Sequence, residues 1–478
     1  MKFLPVFLAG FFLINGCKRT REYSEEEARP NIVFILIDDL GWADVSCNFP
    51  GSFYDTPNID KLAKKGVRFT RAYSAHPVCS PTRAAIMTGK HPNRTGITDW
   101  IPGLAPKDRP LLGPSINNEL ALEELSLAEK LKDKGYKTCF IGKWHLGNEG
   151  FYPEDQGFDI NIGGHHSGSP PGGYYSPYKN PKLEDGPEGE YLTDRLTEEG
   201  IRFMKASKED PFLLFLAYYT VHAPIQACDR YVDKYNKKKA EPVCDADSFA
   251  QEGDGWTRLI QNNADYASMV AAMDENVGKL LKAINDNQLD ENTWVIFTSD
   301  NGGLSTHQKK TSPTSNFPLR AGKGWCYEGG IRVPLIIAGP GVNHPGMTSD
   351  EPVISMDFFP TIMSIAGIKS EKNDGENLLP VLEGESLCRD ELFWHFPHYH
   401  GSRAKPASAL LKGNWKLLYF YEDNHSELYN LLEDPGEIKN LAEVMPEKTA
   451  ELKKILDARL YETGARFPMR NEGYSGGT

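Results

Sequence analysis

The sequence has no excess of positive charge, no internal repeat and no apolar run long enough for a permanent membrane helix. With 53 Lys and Arg against 66 Asp and Glu, its net charge is −13. This balance argues against nucleic acid as a partner and against a generally basic surface, so an anionic substrate would require a locally positive site. A chain of 478 residues, 40% of them hydrophobic, is long enough for one large core and a smaller one.

The N-terminal segment has the features of an export signal. One basic residue precedes an apolar run that ends in small residues and is too short to span a membrane. The four residues from Ile14 to Cys17 resemble a bacterial lipobox, which predicts a signal peptide over 1–16 and lipid on Cys17; the alternative is ordinary cleavage with Cys17 discarded or left free. A flexible tether would follow over 17–30. We therefore expect a periplasmic or cell-surface lipoprotein of a bacterium, attached to the membrane through its lipid anchor only.

Eight cysteines in an exported chain permit disulfides. Cys228 and Cys244 flank one polar loop and are the best candidate pair. Cys139 lies within an apolar run, so we expect it to be a buried free thiol.

Four apolar, β-rich segments each end in polar residues. Continuous apolar runs indicate strands buried on both faces. The runs span 31–37, 137–141, 211–217 and 293–298, and helical patterns at 119–134 and 266–285 lie between them. This alternation predicts an α/β fold with a large, mostly parallel central sheet flanked by helices. In such sheets, functional groups gather at the carboxyl ends of the strands.

The sequence pattern changes at about residue 385. Short apolar stretches at 415–421 and 427–431 predict antiparallel strands, and a helix is expected from about 446 to 463. We therefore expect a catalytic domain over 31–384 and a smaller C-terminal α+β subdomain with an antiparallel sheet over 385–478. A stretch rich in Gly, Pro and Tyr, from 163 to 189, is long for a connection and predicts a lid, a specificity element or disorder.

The most informative motif is Cys79-Ser80-Pro81-Thr82-Arg83, followed by Ala-Ala-Ile-Met-Thr-Gly-Lys. Ser80 and Pro81 fit the N-cap and first turn of a helix over 82–88, which would leave residue 79 just before its N-terminus, where an oxyanion is favoured. Arg83 would lie near it as a fixed cation. The alternative is an ordinary capped helix with a surface arginine. The pattern Cys-x-Pro-x-Arg resembles the signature of type I sulfatases of the alkaline phosphatase superfamily, in which this cysteine is oxidised to Cα-formylglycine, the catalytic aldehyde.

Asp38-Asp39 and Asp300-Asn301 bring three carboxylates and an amide oxygen to two predicted strand ends. Oxygen ligands of this kind suit calcium or magnesium and not zinc. Paired acids are more often a solvated turn, but burying them after an apolar strand would be costly without a cation. The resemblance implies that these four residues and residue 79 hold one divalent metal, usually calcium.

Two lysines and two histidines occupy further motifs. Lys143 and His145, in Gly-Lys-Trp-His-Leu-Gly, would point the same way in an extended chain. The resemblance implies that they contact sulfate and the formylglycine hydroxyl; the alternative is a solvated lysine beside a packed Trp-His pair. His222, in Thr-Val-His-Ala-Pro, and Lys323, in Ala-Gly-Lys-Gly, match family motifs, and the string Tyr-Glu-Gly-Gly-Ile-Arg-Val-Pro that follows identifies the lysine. The resemblance covers about 31–334.

The resemblance implies a sulfuric ester hydrolase whose nucleophile is the hydrated aldehyde at residue 79, held by the metal and Arg83. One hydroxyl attacks sulfur while the metal, Lys143 and Lys323 offset the charge on oxygen. His222, alone or with Lys323, protonates the departing sugar oxygen, and His145 helps the second hydroxyl to expel sulfate. The partner that this chemistry requires is a formylglycine-generating or anaerobic sulfatase-maturating enzyme.

Export and the 163–189 stretch favour a sulfated carbohydrate substrate. The histidine-rich strings look like those of sulfatases from polysaccharide degraders, which suggests a galactose or N-acetylgalactosamine sulfate, as in carrageenan or chondroitin. Six residues are candidates for sugar recognition, and their alternative is surface turns and satisfied histidines. They are His165, His166, His395, His398, His400 and Arg403.

Two other functions remain open at this point. A phosphatase or phosphonate-type hydrolase of the same superfamily would normally need two zinc ions and a Thr or Ser nucleophile, so Cys79 and the lack of an evident second His/Asp metal set argue against it. A catalytically silent glycan-binding lipoprotein would never mature its cysteine.

Overall fold

The computed structural model describes residues 29–239, 248–369 and 373–474. The predicted signal peptide and Cys17 lie outside these residues, as do most of the tether and Cys244, the predicted partner of Cys228. Cys139 is fully buried and is a free thiol, as expected. Among the described helices, none combines the length and apolar character needed to cross a membrane.

The described strands and helices alternate along most of the chain. The strands are β1 (Asn31–Ile37), β2 (Val67–Phe69), β3 (Ala72–Tyr73), β4 (Leu111–Leu112), β5 (Lys137–Gly142), β6 (Ile160–Ile162), β7 (Phe212–Ala217), β8 (Phe249–Glu252), β9 (Gly255–Arg258), β10 (Thr293–Ser299), β11 (Thr306–His307), β12 (Leu335–Ala338), β13 (Thr348–Ser349), β14 (Val353–Ile354), β15 (Glu391–Phe396), β16 (Ala407–Lys412), β17 (Trp415–Phe420), β18 (His425–Asn430) and β19 (Met469–Arg470). The helices are α1 (Pro57–Lys65), α2 (Cys79–Thr88), α3 (Pro92–Thr95), α4 (Leu127–Lys132), α5 (Leu192–Ala206), α6 (Val232–Lys239), α7 (Ala264–Asp286), α8 (Glu328–Ile331), α9 (Phe358–Ile365), α10 (Leu379–Leu382) and α11 (Pro446–Glu462).

The central sheet has the strand order β13-β2-β12-β10-β1-β7-β5-β6. Its middle and one flank, from β10 to β6, are parallel, whereas β12 is antiparallel to both of its neighbours. Alternate residues of β1 enter two different cores: Val33 packs with α1, α5 and α7 on one face, and Phe34 packs with α2, α4 and α9 on the other. Burial on both faces is what the continuous apolar runs predicted, and the α/β fold is confirmed.

The C-terminal region forms an antiparallel sheet in the order β15-β16-β17-β18. On one face, Leu410 and Leu417 pack against Leu456 of α11. On the other face, Trp394 and Leu418 belong to the same apolar cluster as residues around the start of α2. This second sheet is the smaller α+β unit that was expected, although the exact boundary at residue 385 stays a prediction.

Two predicted helices differ from the observed ones. The pattern at 119–134 yields only α4, because Ser126 starts that helix through a reciprocal cap: its hydroxyl accepts from Glu129 N, and its own N–H donates to the Glu129 carboxylate. The helix expected over 82–88 begins earlier, at Cys79 with Val78 as N-cap. Ser80 does not cap it, because its hydroxyl donates to His145 O at 2.9 Å and accepts from Ile101 N at 3.1 Å.

Candidate active site

The candidate site lies at the carboxyl ends of four neighbouring parallel strands, β10, β1, β7 and β5. Asp300 and Asn301 follow β10, Asp38 and Asp39 follow β1, His222 follows the turn after β7, and Lys143 and His145 follow β5. Because these strands run in one direction, their carboxyl ends meet at one edge of the sheet and bring together residues that are far apart in sequence.

Three buried carboxylates each contact a buried cation. Asp38 Oδ2 lies 2.6 Å from Lys143 Nζ, with both side chains 0% exposed. Lys323 Nζ lies 2.7 Å from Asp39 Oδ1. The Arg83 guanidinium donates twice to Asp300 Oδ2, at 2.9 and 2.7 Å. Each of these buried carboxylates is matched by one cation, so the three pairs are formally neutral as a set, and a bound divalent cation would make the site positive toward an anion.

Burial and these cations act in opposite directions on the carboxyl groups. Burial would raise the pKa of Asp39, but Lys323 and His222 hold it well below its ordinary value. Burial would also raise the pKa of Asp300, and Arg83 and Lys143 lower it. For Asp38, burial prevails over Lys143 and raises the pKa well above its ordinary value.

The oxygen atoms of the site fit a divalent cation. Oδ1 of Asp38 and Oδ1 of Asn301 are buried and accept no hydrogen bond from any residue in the described ranges. Asp38, Asp39 and His222 each offer a ligand atom within 4.8 Å of the others. Buried oxygens without a partner are costly, and a cation would supply one. Carboxylate and amide oxygens suit calcium or magnesium, whereas His222 adds a nitrogen that these ions do not favour.

Residue 79 is the first residue of α2 and is 2% exposed. Its Sγ lies 3.3 Å from Nδ1 of His145. The other ring nitrogen of His145, Nε2, lies 2.6 Å from the carbonyl oxygen of Ile101. Since a carbonyl can only accept, we assign the proton to Nε2, which leaves the lone pair of Nδ1 directed at residue 79. Burial and Lys143 hold the pKa of His145 well below its ordinary value, so this imidazole is neutral.

His222 lies at the more open side of the site, with its side chain 20% exposed. Its Nδ1 lies 2.7 Å from Ala223 O, so Nδ1 carries the proton, and Nε2 lies 3.8 Å from Asp39 Oδ2. Burial and Lys323 lower the pKa of His222 to about 3. In this state His222 is an acceptor, and it must gain a proton on Nε2 before it can act as an acid.

Asp39 and His145 both have a left-handed backbone, with φ of 61° and 58°. Residues other than glycine rarely adopt this conformation, and such strained residues concentrate at functional sites. Here the strain accompanies the sharp exit of the chain from β1 and β5 that turns both side chains into one site.

The six candidates for sugar recognition occupy different environments. His400 packs against Gly324, the residue next to Lys323, so closely that a Cβ added to Gly324 would overlap its ring. His165 is 1% exposed, and its carbonyl accepts from His145 N at 3.2 Å. His166 is exposed, and Arg403 is half-buried with Nε lacking a partner among the described residues. These four remain candidates.

His395 and His398 are packed inside the C-terminal region. Both ring nitrogens of His395 are engaged, Nδ1 with Ser408 Oγ at 2.7 Å and Nε2 with Arg466 O at 2.9 Å. His398 Nε2 lies 2.9 Å from Thr98 Oγ1. His395 therefore matches the alternative of a satisfied histidine, and His398 has one of its two ring nitrogens engaged inside the protein.

Some residues that shape the site escaped sequence reasoning. Ile101 contacts His145 through its backbone carbonyl, and because every residue has this group, the residue type gives no sign of the contact. Ser80 was interpreted as a helix cap but joins His145 to the Ile101 segment. Tyr174 contacts the His222 turn through its hydroxyl; its place in the Gly/Pro/Tyr-rich stretch was the only hint.

Comparison with known proteins defines the class. The family model described as Sulfatase matches residues 30–368, and the model described as N-sulphoglucosamine sulphohydrolase, C-terminal, matches residues 321–466. The chain therefore belongs to the sulfatase family, as the motifs predicted, and it is an enzyme of that family.

Individual relatives agree with this assignment. A sulfatase of Formosa agariphila is 33% identical over 96% of this chain and 93% of its own length. The N-acetylgalactosamine-6-sulfatase of Mus musculus is 30% identical over 92% of this chain and 82% of its own. The crystal structure of Ps i-CgsB superposes with a TM-score of 0.73 at 30% identity, covering 92% of this chain and 95% of that one; the same protein has been crystallised with k-i-k-neocarrahexaose.

Proposed function

We propose that this sulfatase removes sulfate from a sulfated carbohydrate through a formylglycine formed from Cys79, with one divalent metal, calcium being the first candidate. The observation that carries the proposal is the position of residue 79. It begins a helix, faces the unprotonated nitrogen of a neutral His145, and lies within electrostatic range of Arg83 and Lys323, the cations that pair with Asp300 and Asp39.

The reaction needs residue 79 as an aldehyde, which a maturating enzyme makes by oxidising the thiol. One hydroxyl of the hydrated aldehyde attacks sulfur and releases its proton to water, the bond from sulfur to the sugar oxygen breaks, and that oxygen takes a proton from His222 or Lys323. His145 Nδ1 then accepts the proton of the second hydroxyl, the bond from residue 79 to sulfate breaks, and the aldehyde is regenerated. Lys143 and Lys323 stabilise the charge on the sulfate oxygens.

The metal would be held by oxygens of Asp38, Asp39, Asp300 and Asn301 together with residue 79. When bound, it would supply a Lewis acid that offsets negative charge on the sulfate group. Arg83 orients Asp300 through two hydrogen bonds and also donates to Lys143 O at 2.6 Å, so it links the end of β10 to the end of β5.

For the substrate we propose a galactose or N-acetylgalactosamine sulfate within a larger glycan. The support is the likeness to a sulfatase named for N-acetylgalactosamine 6-sulfate and to a structure solved with a neocarrahexaose. His165, His166, His400 and Arg403 are the proposed sugar contacts. His165 Nε2 and Arg403 Nε have no hydrogen-bond partner among the described residues, His166 is exposed beside His165, and His400 packs against Gly324, the neighbour of Lys323. We further propose export as a lipoprotein, on the strength of the N-terminal sequence alone.

The test is the variant Cys79→Ser, produced in a host that contains a maturating enzyme. Serine fits the same space, so the fold should be retained, but a serine sulfate ester has no second hydroxyl to expel sulfate and turnover should stop after one event. The matched control is Cys139→Ala, which removes a buried thiol in β5 away from the site and should keep turnover. Full activity of Cys79→Ser would overturn the proposed mechanism.

A further inference from the structure

The segment 163–189 connects β6 to α5 and is built as a fixed part of the core. Over 163–189, all of which the structure describes, there is no helix and no strand longer than an isolated bridge. Nevertheless, Tyr174 and Tyr178 are at most 1% exposed. A segment held by buried tyrosines does not behave as an open lid. Its fixed position allows it to hold residues of the site in place.

One contact reaches the turn that carries His222. Tyr174 Oη lies 2.6 Å from Tyr219 O and 2.8 Å from His222 O. The same turn is closed by His222 N, which donates to Tyr219 O at 2.9 Å. Burial raises the pKa of Tyr174 well above its ordinary value, so the hydroxyl keeps its proton and remains a donor to these two carbonyls.

A second contact reaches His145. Its backbone N–H donates to His165 O at 3.2 Å. Gly168 packs directly on its imidazole: a Cβ added there would lie 2.8 Å from Nδ1, closer than real Cβ contacts come. Because Ile101 O holds the Nε2 side of the same ring, the imidazole is confined from two directions.

We propose that the 163–189 segment positions both histidines, with Tyr174 as the positioning residue for His222 and Gly168 for His145. This inference rests on the roles proposed above for the two histidines. Proton transfer requires the nitrogen to lie within hydrogen-bond reach of the reacting oxygen, so a small displacement of either ring costs rate. The segment acts through the histidines and need not touch the reacting atoms.

The experiment compares Tyr174→Phe with Tyr175→Phe, two substitutions that each remove one hydroxyl from the same segment. Tyr175 Oη donates to Ala227 O and accepts from Asp229 N, both at 3.0 Å, and contacts neither histidine. Each variant is assayed with 4-nitrophenyl sulfate, whose leaving group needs little protonation, and with a sulfated carrageenan oligosaccharide, whose leaving group needs an acid.

Tyr174→Phe should lower kcat for the oligosaccharide by about 10-fold or more and change kcat for the aryl sulfate by less than about threefold. General acid catalysis contributes about 10²- to 10⁴-fold to the rate, and only the oligosaccharide depends on it. Tyr175→Phe should change neither. A variant that no longer stays folded at the assay temperature would lose both activities together. His222→Gln serves as the reference for the loss of the acid itself.

The outcomes separate the two proposals. If His222→Gln loses the oligosaccharide activity selectively but Tyr174→Phe does not, the positioning role is wrong and the function stands. If His222→Gln shows no selective loss, its role as the acid fails, and the inference for Tyr174 fails with it. NMR of labelled histidine gives a readout independent of turnover: the His222 ring signals should move in Tyr174→Phe and not in Tyr175→Phe, and unmoved signals would overturn the proposal.

Gly168→Ala tests the positioning of His145. His145 acts after the leaving group has departed, so this variant should lose both activities to a similar degree, and the NMR signals of the His145 ring should move in Gly168→Ala and not in Gly189→Ala, which distinguishes displacement of the ring from a general loss of structure. Gly189→Ala is the control, since its φ of 82° strains any side chain but nothing lies within 4 Å of the added Cβ; it should lose stability and keep turnover. Equal kinetics of Gly168→Ala and wild type would contradict the role of Gly168.

Discussion

Returning calcium to the chelator-treated protein should raise its melting temperature by about 3 °C. A bound cation would give the unpartnered oxygens of Asp38 and Asn301 a ligand that no described residue supplies. A ligand present at about 100 times its dissociation constant stabilises the folded state by about 2.7 kcal/mol. An unfolding entropy of about 2.1 cal/mol/K per residue gives about 1 kcal/mol/K for 478 residues, and the ratio of the two quantities gives the expected shift.

The assay is thermal unfolding with calcium, magnesium or zinc added separately. Asp38→Asn removes one charge from the cation site and should reduce the calcium-dependent rise to less than about 1 °C. Asp274→Asn is the matched control: this buried acid accepts from the backbone N–H of Asn58 and Ile59 at the start of α1. It should lower the melting temperature and keep the rise. No rise with any cation, or a larger rise with zinc than with calcium, would refute the assignment of an oxygen-ligated site.

Two further predictions concern histidines of the C-terminal region. His400 accepts from Ser402 N at 3.1 Å through Nδ1, which places the proton on Nε2, and the ring lies within electrostatic range of Lys323. His400→Ala should raise KM for the oligosaccharide and leave the KM for 4-nitrophenyl sulfate unchanged, and an unchanged KM for the oligosaccharide would remove His400 from the sugar site. Burial lowers the pKa of His395 to about 4 from 6.5, so the unfolded chain binds the extra proton and stability falls as pH drops below 6.5. Between pH 7.5 and 5 the contribution of His395 amounts to about 2 kcal/mol, so urea unfolding should show a loss of stability that is smaller by about this amount in His395→Gln than in the wild type, in which the other buried histidines also contribute; equal losses in the two proteins would contradict the assignment.

The sequence predicted the central sheet because its signals are local. Each apolar run corresponds to a strand within about one residue at either end, and parallel strands necessarily bring their carboxyl ends to one edge. That rule alone placed Asp38, Asp300 and Lys143 in a common site. Their family motifs then distinguished a sulfatase from other α/β enzymes.

The details that decide proton positions were not predictable, because they depend on contacts without a residue-type pattern. The tautomer of His145 depends on the carbonyl of Ile101, and the His222 turn is held by Tyr174, 48 residues away in sequence. His395 shows the same limit: a histidine in a strand gives no indication that a hydroxyl and a carbonyl will occupy both of its nitrogens. The hydroxyl of Ser80 could cap the helix or bond to distant backbone groups. It bonds to His145 O and Ile101 N, which a helix-capping rule does not consider.

The most direct test of the central claim is mass spectrometry of the tryptic peptide 72–83, which contains residue 79, measured together with specific activity. The protein is purified from cells with and without a maturating enzyme. We expect sulfatase activity to rise in proportion to the fraction of residue 79 that carries an aldehyde in place of the thiol, and to be absent when only the thiol is found. Full activity in protein whose residue 79 is entirely unmodified cysteine would contradict the account.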